Sequence, residues 1–408
     1  MRTRNGKAQP WVIVAGGFHD LGGMDKANSA LARYLLEQNV PVHLVAHRVS
    51  DEFRQSAATI HLVPRPLNSY LLGEQALDFQ GRRVAREMKS QFPNAIVVAN
   101  GGNCPSPDVN WVHSVHHAWP SVLPENTPAW FRAKEGFTKG RSRRRELRAV
   151  RKARLVVANS ERTRRDVIEL LKVDPSRVVK IYLGADPEWT EVTPEEKLRA
   201  RAWLKLDAIR KVMTFVGALG HDQNKGLDTL WAAWSNPEFR KQCDCDLVIA
   251  GGGRGVPAWR ARIEASGLAS RVRLIGFSDR IRDVLAASDL LVSPAHYEAF
   301  GLNVHEAICR GVPAIVTATA GIAELYPAEL SHVLLHDASD QAALVSLLLR
   351  WNFQPETVRQ DFLTLGRCLR AHTWKHMAQE IVDAVHDYVG SSDTEFEEAE
   401  ACEVHSSK

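Results

Sequence analysis

At 408 residues the chain is longer than one hydrophobic core usually supports, so two domains are expected. Apolar content of 45% and charged content of 25% exclude a wholly disordered chain, and no segment reaches the ~20 apolar residues of a membrane-spanning helix. The net charge of +4 excludes little by itself, so its distribution along the chain matters more.

The chain opens with "MRTRNGKAQPWVIVAGG", basic residues ahead of an apolar run, as in a secretory signal. The run Trp11 to Ala15 is too short for that and reads as a first β-strand. Further Val- and Ile-rich runs follow in "PVHLVAH", "AIVVAN", "RLVVANS" and "VVKIYLG", separated by helical patterns. In "MDKANSALARYLLEQN" the residues Ala27, Leu31, Tyr34 and Leu35 recur at three- and four-residue intervals and form one apolar face. A second helical pattern, "ALDFQGRRVAREMKSQF", starts at Ala76.

A polar, Pro-containing linker covers Gly184 to Glu195. The alternation then restarts with "KVMTFVGAL", "CDLVIAGGG", "RVRLIGF", "DLLVSPA", "VPAIVT" and "HVLLH". Strands alternating with helices imply parallel sheets, and two such sets imply two Rossmann-like, doubly wound α/β domains. The expected boundaries are 1–190 for the first domain and 195–371 for the second. A closing helix spans 372–390, and an acidic tail at 391–408 has too few apolar residues to pack. Six cysteines, Cys104, Cys243, Cys245, Cys309, Cys368 and Cys402, show no disulfide framework and read as reduced thiols. The expected location is cytoplasmic.

In open parallel sheets, ligands are held by loops that follow strands, and five such segments carry chemistry. In "GGFHDLGGMDKAN", Gly22 and Gly23 lead into a helix and would let backbone approach a phosphate or sugar. In "NWVHSVHHAW", His113, His116 and His117 lack nearby carboxylates, so no metal is expected. One of them could meet a hydroxyl, or all could be ordinary core or surface residues. Lys225 with Gly226 opens a helix after "FVGAL" and places a cation for a phosphate. Phe277 ends a strand and could flank a base or fill the core.

The fifth segment is "YEAFGLNVHEAICRGVPAIVT". Here a helix beginning near Leu302 would aim the backbone N–H groups of Phe300, Gly301, Leu302 and Asn303 at an anion. Glu298 precedes that helix and Glu306 lies about a turn inside it. Neither has a lysine at i+4 to make an ordinary surface pair.

Taken in order, the glycine loop, "VVANS", "KIYLGAD", "FVGAL…KG", "LVIAGGG", "VRLIGFSD" and "EAFGLNVHEA" resemble the family 4 retaining glycosyltransferases over about residues 10 to 390. The resemblance implies a GT-B fold, with two Rossmann-like domains facing a cleft. It also implies transfer from a UDP- or GDP-linked sugar with retention, with neither metal nor cofactor. Glu306 would bind the ribose, and Glu298 with the amides of Ala299, Phe300 and Gly301 would hold the donor sugar. Leu302, Asn303 and Lys225 would take the pyrophosphate, Gly22 and Gly23 would close over it, His113 would line the sugar pocket, and Phe277 would flank the base. Ala218 stands where the family usually has an arginine, which removes a second cation from the diphosphate, and Arg254 is a candidate replacement.

From Arg132 to Arg154 there are eleven basic residues against Glu135 and Glu146. They form either a solvated helix face or a contact with anionic lipid. Nucleic acid is not expected, because the stretch has no interleaved aromatic residues. The expected partners are a nucleotide-sugar donor and a glycan or lipid-linked acceptor of surface polysaccharide or lipopolysaccharide synthesis. The rival reading is a catalytically silent relative that binds a glycan or a membrane.

Overall fold

Fully buried strands that read as unbroken Val/Ile/Leu runs pair in parallel, because both of their faces must be covered by helices. The computed structural model describes residues 9–388 apart from 69, 106, 121, 124–126, 221 and 354. Of residues 68, 70, 71, 355 and 357 it describes the backbone only. The tail expected at 391–408 lies outside the described residues. The chain divides into two units. The first is 1–117, 137–183 and 374–408, and the second is 118–136 and 184–373. Residues 118–136, contiguous in sequence with the first half, thus group with the second unit.

The first unit contains β1 (Trp11–Val14), β2 (Gly17–Phe18), β3 (Val42–Ala46), β4 (Arg48–Val49), β5 (Thr59–Leu62), β6 (Ile96–Asn100), β7 (Val109–Val112), β8 (Leu155–Ala158) and β9 (Val178–Lys180). Seven of them form one parallel sheet in the order β5-β3-β1-β6-β7-β8-β9, and β2 pairs separately with β4. Its core packs Val12, Val14, Val97 and Ala99 against Leu77, Val84 and Met88 of the helix Tyr70–Gln91. The strand order reverses direction between β1 and β6, the position where such sheets open a crevice beyond their strand ends. Strands β4, β5 and β7 were not among the expected ones.

The second unit contains β10 (Lys211–Val216), β11 (Cys245–Ala250), β12 (Val272–Gly276), β13 (Leu290–Ser293), β14 (Ala314–Thr317) and β15 (Leu334–Leu335). All lie in one parallel sheet, β12-β11-β10-β13-β14-β15, whose order reverses between β10 and β13. Val212, Val248 and Ala250 pack here against Val284, Ala287 and Leu204. The linker is pinned to this unit by Arg310, whose guanidinium donates to Thr190 O (2.8 Å) and Glu196 (3.1 Å). Glu196 also closes a capping box with Thr193. The five described cysteines are free, and only Cys368 is exposed. Among the described residues, no helix is long and apolar enough to cross a membrane.

Candidate functional site

The two loops that flank the reversal point of the second sheet are joined side by side. After β10 the chain runs through Gly217–Gly226 into the helix Leu227–Trp234, and after β13 through Pro294–Gly301 into the helix Leu302–Cys309. His296 N donates to Asn224 O at 2.8 Å, and the buried Asn224 returns a bond from Nδ2 to Tyr297 O at 3.1 Å. Between them Lys225 Nζ lies 2.7 Å from Glu298 Oε2, with the side chains 29% and 16% exposed. Such a close approach needs a glycine beside it. Gly226 has φ +73°, and a Cβ there would lie 1.9 Å from Pro294 O.

Gly301 caps the next helix at φ +107°, with Ile322 Cγ2 2.8 Å from where a Cβ would be. Val304 N and His305 N both donate to Gly301 O. Among the described residues the N–H groups of Leu302 and Asn303 donate to no acceptor, as first-turn amides do when no capping group meets them. The Asn303 side chain is anchored by donation to Val216 O at 2.8 Å. Phe300 is buried against His305, and Glu306 is half-buried on the next turn. Lys225, Glu298, the Leu302 and Asn303 amides and Glu306 thus belong to two adjoining loops and one helix end.

The loop after β11 completes this edge. Leu219 N donates to Gly252 O at 2.8 Å, and Gly255 N donates to Leu219 O at 2.9 Å. The exposed Arg254 is therefore carried on the loop that holds the backbone next to the exposed Ala218. Phe277, 68% exposed, lies with its Cβ against Gly252 and is not a core residue. The Trp119 ring lies tilted against Tyr297, 5.8 Å between centres, and donates from Nε1 to Asp222 at 3.1 Å. Trp119, Asp222, Asn224 and Tyr297 were not among the expected site residues. The signal available for them was only their position in polar post-strand loops.

In the first unit Gly22, at φ +95°, precedes the helix Gly23–Glu37. His113 follows β7 with its ring 4.5 Å from that of Trp111, and its Nε2 is buried without a partner. Burial holds its pKa down to about 3, so the ring is neutral. The other two histidines share one buried carboxylate, with Glu146 accepting from the His116 backbone N–H and pairing with His116 Nδ1 (2.9 Å) and His117 Nδ1 (3.2 Å). Burial lowers the His116 pKa, but the bond to Glu146 and its charge outweigh this and hold it above the ordinary value. The carboxylate partner for these histidines comes from the basic stretch, 30 residues on. Among the described residues no three His, Cys, Asp or Glu side chains group as a metal site requires.

Residues 21–189 match the Glycosyltransferase Family 4 model, and residues 210–351 match the Glycosyl transferases group 1 model. The chain belongs to the family 4, group 1 glycosyltransferases. Members of this family work with retention and without a metal, and this glycosyltransferase transfers a sugar from a nucleotide-sugar donor. It is 26% identical over 404 residues to a D-inositol 3-phosphate glycosyltransferase of Stackebrandtia nassauensis, covering 91% of this chain and 88% of that one. It is 28% identical over 254 residues to an alpha-maltose-1-phosphate synthase of Mycobacterium tuberculosis, covering 58% of this chain and 64% of that one.

Its GT-B fold is shared with WaaG, a glycosyltransferase involved in lipopolysaccharide biosynthesis (TM-score 0.71, 18% identity, 92% of this chain and 99% of that one). It is also shared with a sucrose-phosphate synthase from Thermosynechococcus elongatus (TM-score 0.73, 17% identity, 94% and 100%).

Proposed function

We propose that this glycosyltransferase binds its donor diphosphate at Lys225 and the amides of Leu302 and Asn303. In this reading Glu298, with the backbone of Ala299, Phe300 and Gly301, holds the donor sugar. Glu306 binds the ribose and Phe277 flanks the base. Gly22 and Gly23 supply close backbone approach, and His113, held neutral, accepts a hydroxyl proton or donates to a hydroxyl oxygen without adding charge. The observation that carries the reading is the 2.7 Å Lys225–Glu298 pair, set between two loops at the reversal point of the sheet. Arg254 replaces the cation missing at Ala218, since its loop is hydrogen-bonded to the neighbouring backbone. Anabaena HepE, a structural neighbour at TM-score 0.69, was crystallised with UDP and glucose, which favours a UDP-sugar. Thermal-shift measurement with UDP-, GDP- and ADP-sugars tests this. No response to any of them, or a response undiminished in Lys225→Ala, would remove the assignment.

The acceptor we infer is a glycan or lipid-linked sugar of surface polysaccharide or lipopolysaccharide, a pathway suggested by WaaG. The helix Ala129–Lys152 supports work at a membrane surface, with Trp130 (67% exposed) and Phe137 (71%) seven residues apart on one face. Several of its arginines are not free for lipid, since Arg143 donates to His116 O and Arg145 to Glu74 O and Gly102 O. Arg144 and Arg148 are exposed on the same face as the two aromatics. Co-sedimentation with anionic but not neutral vesicles at low salt, weakened in W130A/F137A, is expected. Equal recovery with both vesicle types would exclude the contact.

A further inference from the structure

Several arginines of the first unit hold neither a carboxylate nor a carbonyl among the described residues, and two of them, Arg48 and Arg65, lie at its ligand-holding edge near the Asp25 carboxylate. Elsewhere in this unit Arg33, Arg82 and Arg164 each hold a carboxylate, and Arg143, Arg145 and Arg177 each hold a backbone carbonyl. Among the described residues Arg48 and Arg65 make neither kind of bond, and both are exposed. They lie beyond the C-terminal ends of β3 and β5, the edge at which parallel sheets hold ligands.

The backbone brings further groups to the same place. Arg48 is opposite Gly17 in the β2–β4 pair, and His47 N donates to Gly16 O at 3.2 Å. His47 Nδ1 donates to Val63 O at 2.9 Å, which leaves its Nε2 as a lone-pair acceptor. That Nε2 and Arg65 Nε each lie 3.3 Å from where a Cβ on Gly73 would be, so the ring and the guanidinium share the space that this glycine leaves open. On the other side of Gly17, His19 Nε2 is 3.6 Å from Asp25 Oδ2. Asp25 Oδ1 is buried without a hydrogen-bond partner. Two guanidiniums against one carboxylate leave a net positive seat. Planar guanidinium forks match a phosphoryl group in geometry as well as charge.

We propose that the acceptor of this glycosyltransferase carries a phosphoryl group, received by Arg48 and Arg65. The step from an anion seat to an acceptor group rests on the proposed function above, with the donor held by the other unit. The probe is inorganic phosphate, followed by phosphorus NMR line broadening on the full chain. The double variant R48A/R65A should weaken binding at least tenfold. R48K/R65K should keep binding within a few-fold, and in Lys225→Ala, which disables the donor-diphosphate seat, the part of the binding that R48A/R65A removes should persist. Because both arginines are exposed, circular dichroism of the variants should match the parent. Loss in Lys225→Ala but not in R48A/R65A would assign the phosphate to the donor site and overturn the proposal. Displacement by equimolar acetate would also overturn it, since that marks a carboxylate seat.

With a donor that is turned over, KM for phosphorylated sugars should rise at least tenfold in R48A/R65A while donor hydrolysis is unchanged. Equal KM for neutral and phosphorylated acceptors in the parent would sink the inference and leave the donor assignment intact. Absence of donor binding would sink the donor assignment while the phosphate titration still decided this one.

Discussion

Lys225 is held by Glu298 at 2.7 Å, so in the proposed donor site the cation turns from a carboxylate to a diphosphate when the substrate binds. Replacing Lys225 by alanine removes the charge-assisted bond to the leaving group, which is worth roughly 1.5–3 kcal/mol. The pair is partly solvated, at 29% and 16% exposure, which favours the lower half of that range. At about 1.4 kcal/mol per factor of ten, donor turnover should fall roughly 10- to 50-fold. Glu298→Gln should act differently. It frees the lysine in the empty enzyme, so nucleoside diphosphate should bind several-fold tighter while kcat falls because the donor sugar loses its carboxylate. Steady-state release of nucleoside diphosphate and calorimetric binding to both variants separate the two effects. Wild-type kcat/KM in Lys225→Ala, or weaker diphosphate binding in Glu298→Gln, would refute the reasoning.

Gly226→Ala puts a Cβ 1.9 Å from Pro294 O, so the two loops must part. Donor turnover should fall at least tenfold with a lower Tm, and a variant with normal kinetics would show that the loops tolerate separation. His113 is held at about pKa 3 against an ordinary 6.5, so the unfolded chain takes up the proton first as pH falls. The stability that His113 confers when neutral is therefore lost below about pH 6.5, roughly 2 kcal/mol between pH 7 and 5. Urea unfolding of His113→Phe should show a shallower pH dependence by that amount. Arg310→Ala strips the partner of Glu196 at a site where Arg310 itself is 1% exposed, and should cost roughly 3 kcal/mol in urea unfolding. Arg254→Ala should raise donor KM while leaving Tm unchanged, and an unchanged KM would remove Arg254 as the substitute for the missing cation.

Strands carrying a run of apolar residues were legible in the sequence, including all six of the second sheet, where single polar residues such as Thr214 or Asp246 do not break the run. Two in the first sheet were not, for different reasons. β5 (Thr59–Leu62) is an edge strand without a fully buried residue, so no apolar run marks it. β7 contains Asn110, fully buried, whose side chain donates to Gly101 O and accepts from Gly101 N. A polar residue satisfied by a neighbouring strand end looks like a loop residue until that neighbour is known. The same limit applied at the site. Glu298 has no cation at helical spacing, yet it meets a lysine 73 positions earlier, a pairing that only the sheet order creates. The carboxylate that serves His116 and His117 was likewise counted only as a stray acid in a basic stretch.

The helix over residues 374–388 belongs to the unit that begins at the N-terminus. Ile381, Val382 and Val385 are buried in that unit, Trp374 lies under Lys26, and Tyr388 lies under Arg154. During synthesis, then, the first sheet has to wait for a helix made after the whole second sheet. Residues 184–373 emerge from the ribosome while the earlier sheet still lacks one of its coverings, so a stalled or clipped chain would present a sticky, half-dressed β-sheet to chaperones and proteases. Synthesis through residue 388 is thus a condition for closing the first unit in a way that it is not for the second.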